Sequence, residues 1–262
     1  MTMDKAIAIA LKGVTVSFGL YKVLSDISVQ FPASEMTAII GPNGGGKTTL
    51  IKVVTGLIKA DAGDIRIFNE DVRTARKKGW LGYVPQAAQF DRSFPIRVED
   101  VILTGTLKKH LLPFRRFTQE DRAKASKILD QLGLYDLRKR QIGQLSGGQL
   151  QKVLIGRALV KDPKILFLDE PTASIDTQTK NQIYKLLNAL TPKRTIVVVT
   201  HDMSAISSYF DTVACLNKRI HYHGSEKLTQ GIIDDTYGCP VDLIAHGVPH
   251  RVFKEDKDVY HD

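Results

Sequence analysis

The chain has only two cysteines, Cys215 and Cys239, among its 262 residues. Two thiols are too few for a disulfide framework, and such low usage suits a reducing cytosol. Long apolar runs are also missing: those present, such as residues 195–200, have strand length, whereas a membrane-spanning helix needs about 20 apolar residues. Lys12 interrupts the short apolar stretch near the start, so a signal peptide is not expected. We therefore expect a soluble chain.

The composition allows a substantial core, because 43% of the residues are hydrophobic and 25% are charged. The length fits one large domain or two small ones. A net charge of +9 allows nucleic acid, anionic lipid or nucleotide as a partner. Charge alone does not choose among these classes.

A glycine-rich loop, GPNGGGKTT at residues 41–49, follows a strand-like run at 36–40 and precedes helical apolar spacing at 50–58. Strand, loop and helix in this order are the context of a phosphate-binding P-loop. Its N–H groups and the helix N-terminus would surround phosphate. Lys47 would reach the β- and γ-phosphates, and Thr48 would ligate Mg²⁺. The predicted ATP-binding residues in this loop are Gly41, Pro42, Asn43, Gly44, Gly45, Gly46, Lys47, Thr48 and Thr49.

Two adjacent carboxylates follow another apolar run, in ILFLDEP at residues 165–171. Asp169 is predicted to hold Mg²⁺ through its water shell. Glu170 is predicted to polarise the attacking water as general base. A strand ending in exposed acids before a turn is the structural alternative, but it seldom occurs together with a P-loop.

Further motifs follow in order: GYVPQ ending at Gln86, QLSGGQLQ at 144–151, SID ending at Asp176, and VVVTHD containing His201. With them, the chain closely resembles the ATP-binding-cassette ATPases, the motor subunits of membrane transporters, from residue 11 to about residue 228. The resemblance implies an α/β fold: a P-loop NTPase (RecA-like) core with an antiparallel β layer and an inserted helical subdomain. It also implies a catalytic group of Glu170, His201 and Gln86.

The same resemblance assigns finer roles. Gln86 is implied to sense Mg²⁺, and Thr48 and Asp169 are implied to hold the same ion. His201 is implied to contact the γ-phosphate. An aromatic residue stacks on adenine shortly before the second strand in the family. Phe18 is the best match in this sequence, and Tyr21 competes with it.

The segment LSGGQ at residues 145–149 is a second phosphate-binding candidate without a lysine. Ser146, Gly147 and Gly148 open a helical stretch, and a helix N-terminus suits an anion. The resemblance implies that two cassettes dimerise head to tail, so that the signature of one covers the ATP held by the other. The residues acting in trans would be Leu145, Ser146, Gly147, Gly148, Gln149 and Asp176.

We predict an ATPase domain over residues 1–228, with a nucleotide-binding core at 1–87 and 161–228 and a helical subdomain at 88–160. Within that subdomain, Thr118 and Asp121 form a capping pattern at a helix start. Residues 229–262 would be a tail. A structural tail is favoured over a metal site because the spacing of Cys239, His246 and His250 matches no recognised zinc pattern.

Several stretches, such as FPIRVEDVILTG at residues 94–105, are similar in sequence to the ATPases of bacterial zinc, manganese or iron importers. That resemblance implies a homodimer at the cytoplasmic face of the membrane, with a permease dimer and an extracytoplasmic metal-binding protein. The basic stretch 107–117 fits a solvated face near phospholipid better than a nucleic-acid site. The alternatives are an exporter or lipid-transport subunit and a soluble cassette ATPase without permease.

Overall fold

The computed structural model describes residues 6–86, 94–107, 116–173, 175–224 and 236. The strands are β1 (Ile7–Phe18), β2 (Tyr21–Pro32), β3 (Met36–Ile40), β4 (Ala62–Ile67), β5 (Glu70–Asp71), β6 (Leu81–Val84), β7 (Ile165–Asp169), β8 (Thr195–Val199), β9 (Thr212–Asn217) and β10 (Arg219–Gly224). The α-helices are α1 (Lys47–Val54), α2 (Val72–Lys77), α3 (Val98–Thr104), α4 (Gln119–Gln131), α5 (Gly147–Leu159), α6 (Thr177–Leu190) and α7 (Met203–Tyr209). Within the described ranges, no helix has the length and apolar character needed to cross a membrane.

The core sheet of the described residues has six strands in the order β10, β9, β3, β8, β7, β6. The five strands from β9 to β6 are parallel, and β10 is antiparallel to β9. β3, β7 and β8 are buried at every position, because helices or the second sheet cover both faces. This explains why their sequences are apolar without alternation. The parallel strands all end at one edge of the sheet.

The second sheet has the order β2, β1, β4, β5 and is antiparallel throughout. Its inward side chains, such as Ile9 and Phe31, share an apolar cluster with Leu50 of α1 and Phe167 of β7. The layer is therefore fixed to the core by burial of apolar surface. The predicted α/β core with an antiparallel β layer is confirmed.

Helices α3, α4 and α5 pack together within residues 88–160, the range predicted to be mainly helical. The contact between α3 and α5 is close: a Cβ atom at Gly105 would lie 2.1 Å from the carbonyl oxygen of Arg157. Only glycine allows the end of α3 to rest on the backbone of α5. The described residues of this range fit the expected helical insertion, and its exact subdomain boundaries stay a prediction.

Two stretches named in the sequence analysis lie largely outside the described residues. They are the basic stretch 107–117, of which 108–115 are not described, and the tail 229–262, described only at Thr236. The possible metal ligands Cys239, His246 and His250 belong to the second stretch.

The capping pattern at the start of α4 is confirmed. The Thr118 hydroxyl accepts a hydrogen bond from the Asp121 N–H at 3.1 Å, and the Asp121 carboxylate accepts one from the Thr118 N–H at 3.0 Å. Each bond satisfies a main-chain donor that the helix itself leaves unpaired.

We expect Thr118→Ala to lower the free energy of unfolding by about 1 kcal/mol, because the cap is lost. Ser126→Ala is the matched control, since it removes a hydroxyl from the middle of α4, where alanine is the best helix former. Chemical denaturation of both variants measures the difference. Equal destabilisation by the two substitutions would contradict the capping account.

Candidate functional site

The predicted site residues lie in loops at the carboxyl edge of the parallel core strands. The glycine-rich loop 41–46 follows β3, and Gln86 comes two residues after β6. Glu170 directly follows β7, and His201 comes two residues after β8. Ligands of open α/β sheets bind in the crevice outside this edge. The fold therefore brings residues distant in sequence into one crevice.

The glycine-rich loop is wound tightly against its neighbours. Gly41 has φ 145°, and a Cβ atom there would lie 1.9 Å from the carbonyl oxygen of Leu216. Gly46 has φ 95°, and its Cβ would lie 2.7 Å from Cδ2 of Leu24. Both positions therefore require glycine. α1 begins at the next residue, Lys47, so the predicted order of strand, loop and helix is present.

The Lys47 side chain turns back onto the glycine-rich loop. It donates hydrogen bonds to the carbonyl oxygens of Gly41 at 2.9 Å and Pro42 at 2.8 Å. Burial lowers the pKa of Lys47, while the nearby charges of Glu170 and Asp169 act in the opposite direction. A cation is thus held by neutral acceptors beside a helix N-terminus, an arrangement suited to binding phosphate.

Asp169 is the fully buried last residue of β7. Burial raises its pKa, and the nearby Thr48 hydroxyl acts in the opposite direction. However, no described group forms a hydrogen bond of normal geometry with either carboxylate oxygen. An unsatisfied buried carboxylate is costly, and a hard cation with oxygen ligands would compensate it. Asp169 and Thr48 therefore fit Mg²⁺.

Glu170 contacts both other residues that were predicted to be catalytic. Gln86 Nε2 donates to its Oε2 atom at 2.6 Å, and its Oε1 atom lies 2.9 Å from His201 Nε2. The Glu170 backbone has φ 48°, a left-handed conformation that is strained for a residue with a side chain. Its N–H donates to the carbonyl oxygen of Val199 at 3.0 Å, which fixes that conformation against β8.

Several polar residues near this group were not predicted from the sequence. Burial and the adjacent Asp169 carboxylate raise the pKa of Tyr83 to about 12, and this tyrosine stands in the GYVPQ motif itself. The Tyr184 hydroxyl lies 3.1 Å from that of Thr172 and 3.0 Å from that of Thr200. No local signal marks Tyr184, because its position in α6 indicates only burial.

The signature segment forms the N-terminus of α5, as predicted. Ser146 is the N-cap: its hydroxyl accepts from the Gln149 N–H at 3.2 Å, and the Gln149 side chain accepts from the Ser146 N–H at 3.0 Å. Ser146 and Gly147 are exposed, whereas Leu145 and Gly148 are buried. The exposed end of α5 is therefore available for a further partner.

The start of α5 packs against the start of α6. A Cβ atom at Gly148 would lie 2.1 Å from Cγ2 of Thr179, and Asp176 caps α6 by accepting from the Thr179 N–H at 2.9 Å. This hydrogen bond also lowers the pKa of Asp176. Among the described residues, no hydrogen bond or ion pair joins the signature to the glycine-rich loop. The two phosphate-binding candidates of one chain are thus separate structures.

The two aromatic candidates for adenine stacking face each other across the turn between β1 and β2. Phe18 is 50% exposed and Tyr21 is 80% exposed. The choice between them stays open.

Comparison with known proteins gives a family and individual relatives. A family model described as "ABC transporter" matches residues 24–173. The chain is 39% identical to the manganese transport system ATP-binding protein MntB of Listeria innocua, covering 91% of this chain and 99% of the relative. It is 36% identical to the zinc transport system ATP-binding protein TroB of Treponema pallidum, covering 89% of this chain and 88% of the relative.

A solved structure described as the ADP conformation of an ATP-binding cassette of an ABC transporter has the same fold. Its TM-score is 0.75 at 29% sequence identity, with 84% of this chain and 91% of the other covered.

Replacing Asp169 should separate stability from nucleotide binding. Because burial raises its pKa, the ionised carboxylate disfavours the folded state near neutral pH. We expect Asp169→Asn to melt at a higher temperature than the parent without nucleotide, and to bind ATP in the presence of Mg²⁺ at least about tenfold more weakly. Thermal unfolding and binding of a fluorescent ATP analogue measure the two effects.

Asp136→Asn, at an exposed position, is the control and should leave both properties unchanged. An Asp169→Asn variant that melts below the parent and binds Mg²⁺–ATP normally would contradict the proposed metal role.

Proposed function

The chain belongs to the ABC transporter family, and from that membership we propose that it is the ATPase subunit of a transporter that imports manganese or zinc. Family membership makes the chain a nucleotide-binding ATPase that works with a membrane permease. We further propose which residues act in hydrolysis, that two chains dimerise, on which side of the membrane they lie and which metal is carried.

Glu170 is the proposed general base for the attack of water on the γ-phosphate of ATP. The supporting observation is its position between Gln86 at 2.6 Å and His201 at 2.9 Å, at the edge where β3 delivers Lys47. A carboxylate held through both oxygens points in one direction and accepts a proton there. A positioned base contributes about 10²–10⁴ in rate.

Lys47 would exchange its two carbonyl partners for phosphate oxygens when ATP enters the loop. Thr48, Gln86 and Asp169 are the proposed ligands of Mg²⁺, directly or through water. When bound, Mg²⁺ would neutralise charge on the β- and γ-phosphates. Gln86, exposed two residues after β6, could then report on the nucleotide to a partner.

We propose that two chains form the complete site, with the exposed α5 N-terminus of one covering the ATP of the other. The exposed start of α5 at Ser146 and Gly147 supports this role, because a helix N-terminus suits an anion and this segment has no side-chain cation of its own. The start of α5 is also separate from the glycine-rich loop of its own chain, which favours contact with the ATP of a second chain. ATP would then join the two subunits, and hydrolysis would let them part.

The proposed dimer lies at the cytoplasmic face of the membrane and is held there by protein contacts. Its partners are a permease dimer and an extracytoplasmic metal-binding protein. α3, within the stretch following Gln86, is the proposed permease contact.

The cargo proposal depends on the relatives, which are named for manganese and zinc and align with about nine tenths of this chain. Iron, the third metal expected from the sequence, has less support from these names. An exporter or lipid-transport subunit, or a soluble cassette ATPase, would share the catalytic residues and is the alternative.

The test is cellular metal content, measured by mass spectrometry in cells limited in turn for manganese, zinc and iron. We expect Lys47→Ala to cause a selective fall in manganese or zinc, because import stops when ATP is not held. Lys127→Ala, an exposed lysine of α4, is the control and should keep the parental content. Unchanged metal at equal protein levels would contradict metal import, and a rise would favour an exporter.

A further inference from the structure

A buried hydroxyl network lies behind the proposed catalytic group. Its centre is Tyr184 of α6, whose side chain is completely buried. The Tyr184 hydroxyl lies 3.1 Å from the Thr172 hydroxyl and 3.0 Å from the Thr200 hydroxyl. Both threonines are almost fully buried as well, so water does not replace these partners.

The two threonines belong to different catalytic loops. Thr172 comes two residues after Glu170, and Thr200 directly precedes His201. Thr200 is fixed further, because its hydroxyl accepts the Asp202 N–H at 3.0 Å and its own N–H donates to Ile39 at 3.2 Å. One phenol on α6 thus bridges the loops on either side of the contact between Glu170 and His201.

The position of the phenol is itself fixed by packing. The Tyr184 ring stacks on Tyr209 with centroids 5.5 Å apart and meets the edge of Phe210 at 5.7 Å. Lys180, one turn earlier on α6, also pairs with Asp202 at 3.8 Å. α6 therefore contacts the His201 loop through both a buried and a surface interaction.

The Tyr184 hydroxyl can serve both loops at once, because a hydroxyl donates one hydrogen bond and accepts others. Burial raises the pKa of Tyr184, so the phenol keeps its proton and can donate. If the Tyr184 hydroxyl were removed, each threonine hydroxyl would lose a partner inside the protein, and the two loops could shift separately.

We propose that Tyr184 is a positioning residue for ATP hydrolysis, which aligns Glu170 with His201 through its hydrogen bonds to Thr172 and Thr200. The proposal depends on the proposed roles of Glu170 and His201, but not on the cargo. It also gives α6 a function in the dimer: Asp176, a residue proposed to face the partner, caps the start of the helix, and Tyr184 lies about 12 Å further along it. A displacement of α6 by the partner would reach both catalytic loops.

Tyr184→Phe tests the proposal in the full-length chain, because it keeps the ring and removes only the bridging hydroxyl. We expect kcat for ATP hydrolysis to fall about tenfold, since small misplacements of a base are costly, while KM for ATP stays at the parental value because the phosphate loop is untouched. Parental kcat in this variant would overturn the proposal.

Thr37→Val is the matched control for a merely structural effect. It removes another buried hydroxyl pair of the core sheet, Thr37 with Thr212 at 2.7 Å, at the opposite edge from the site. We expect this variant to lose thermal stability comparably and keep the parental kcat. The same fall in kcat in both variants would overturn the positioning role.

A second background shows whether Tyr184 acts through the proposed pair. In a His201→Ala chain the contact between His201 and Glu170 that Tyr184 is proposed to align is absent, so adding Tyr184→Phe should reduce the residual kcat no further. A full additional tenfold loss would contradict the proposal. If the parent chain hydrolyses ATP normally but imports no metal, the proposed cargo is wrong, and the effect of Tyr184→Phe on kcat can still be interpreted.

Discussion

The parallel alignment of β3, β8, β7 and β6 is the constraint on which the site depends. Because these strands run in one direction, their carboxyl ends deliver a lysine, a glutamine, two carboxylates and a histidine to one edge. Burial of β3, β7 and β8 along their whole length restricts their register, since a slip would move apolar end residues out of the core or polar ones into it. The geometry of the proposed site is thus held by the hydrophobic core.

Several local arrangements at this edge cost folding free energy, and they lie at the proposed site. Asp169 is buried, and among the described residues its carboxylate forms no hydrogen bond of normal geometry; Glu170 has a left-handed backbone. Lys47 is buried although burial disfavours its charge. Strain and unsatisfied charge collect at binding and catalytic sites, where the surrounding packing tolerates them. Here a metal ion and a triphosphate would supply the missing partners.

The sequence predicted the parts of the site that depend on local spacing. The glycine-rich loop, Asp169 at the end of its strand and the helix start after Ser146 depend only on neighbouring residues, and they lie where the sequence predicted them. The bond between Gln86 and Glu170 depends on two strands that are neighbours in the sheet and distant in the chain. Tyr184 was not predicted because its position in α6 indicates only burial, whereas its hydrogen bonds to Thr172 and Thr200 leave no signal in the sequence. The family resemblance implied roles, and the fold supplied the distances.

A complementation experiment tests directly whether one ATP is held by two chains, as proposed. Lys47→Ala removes the lysine of the phosphate loop, and Ser146→Arg obstructs the exposed start of α5. Each variant alone should be inactive. Mixed in equal amounts, they should recover up to about a quarter of the parental ATPase rate, because half of the dimers are mixed and each mixed dimer has one intact site. A mixture as inactive as its components, with mixed dimers demonstrably formed, would contradict the claim.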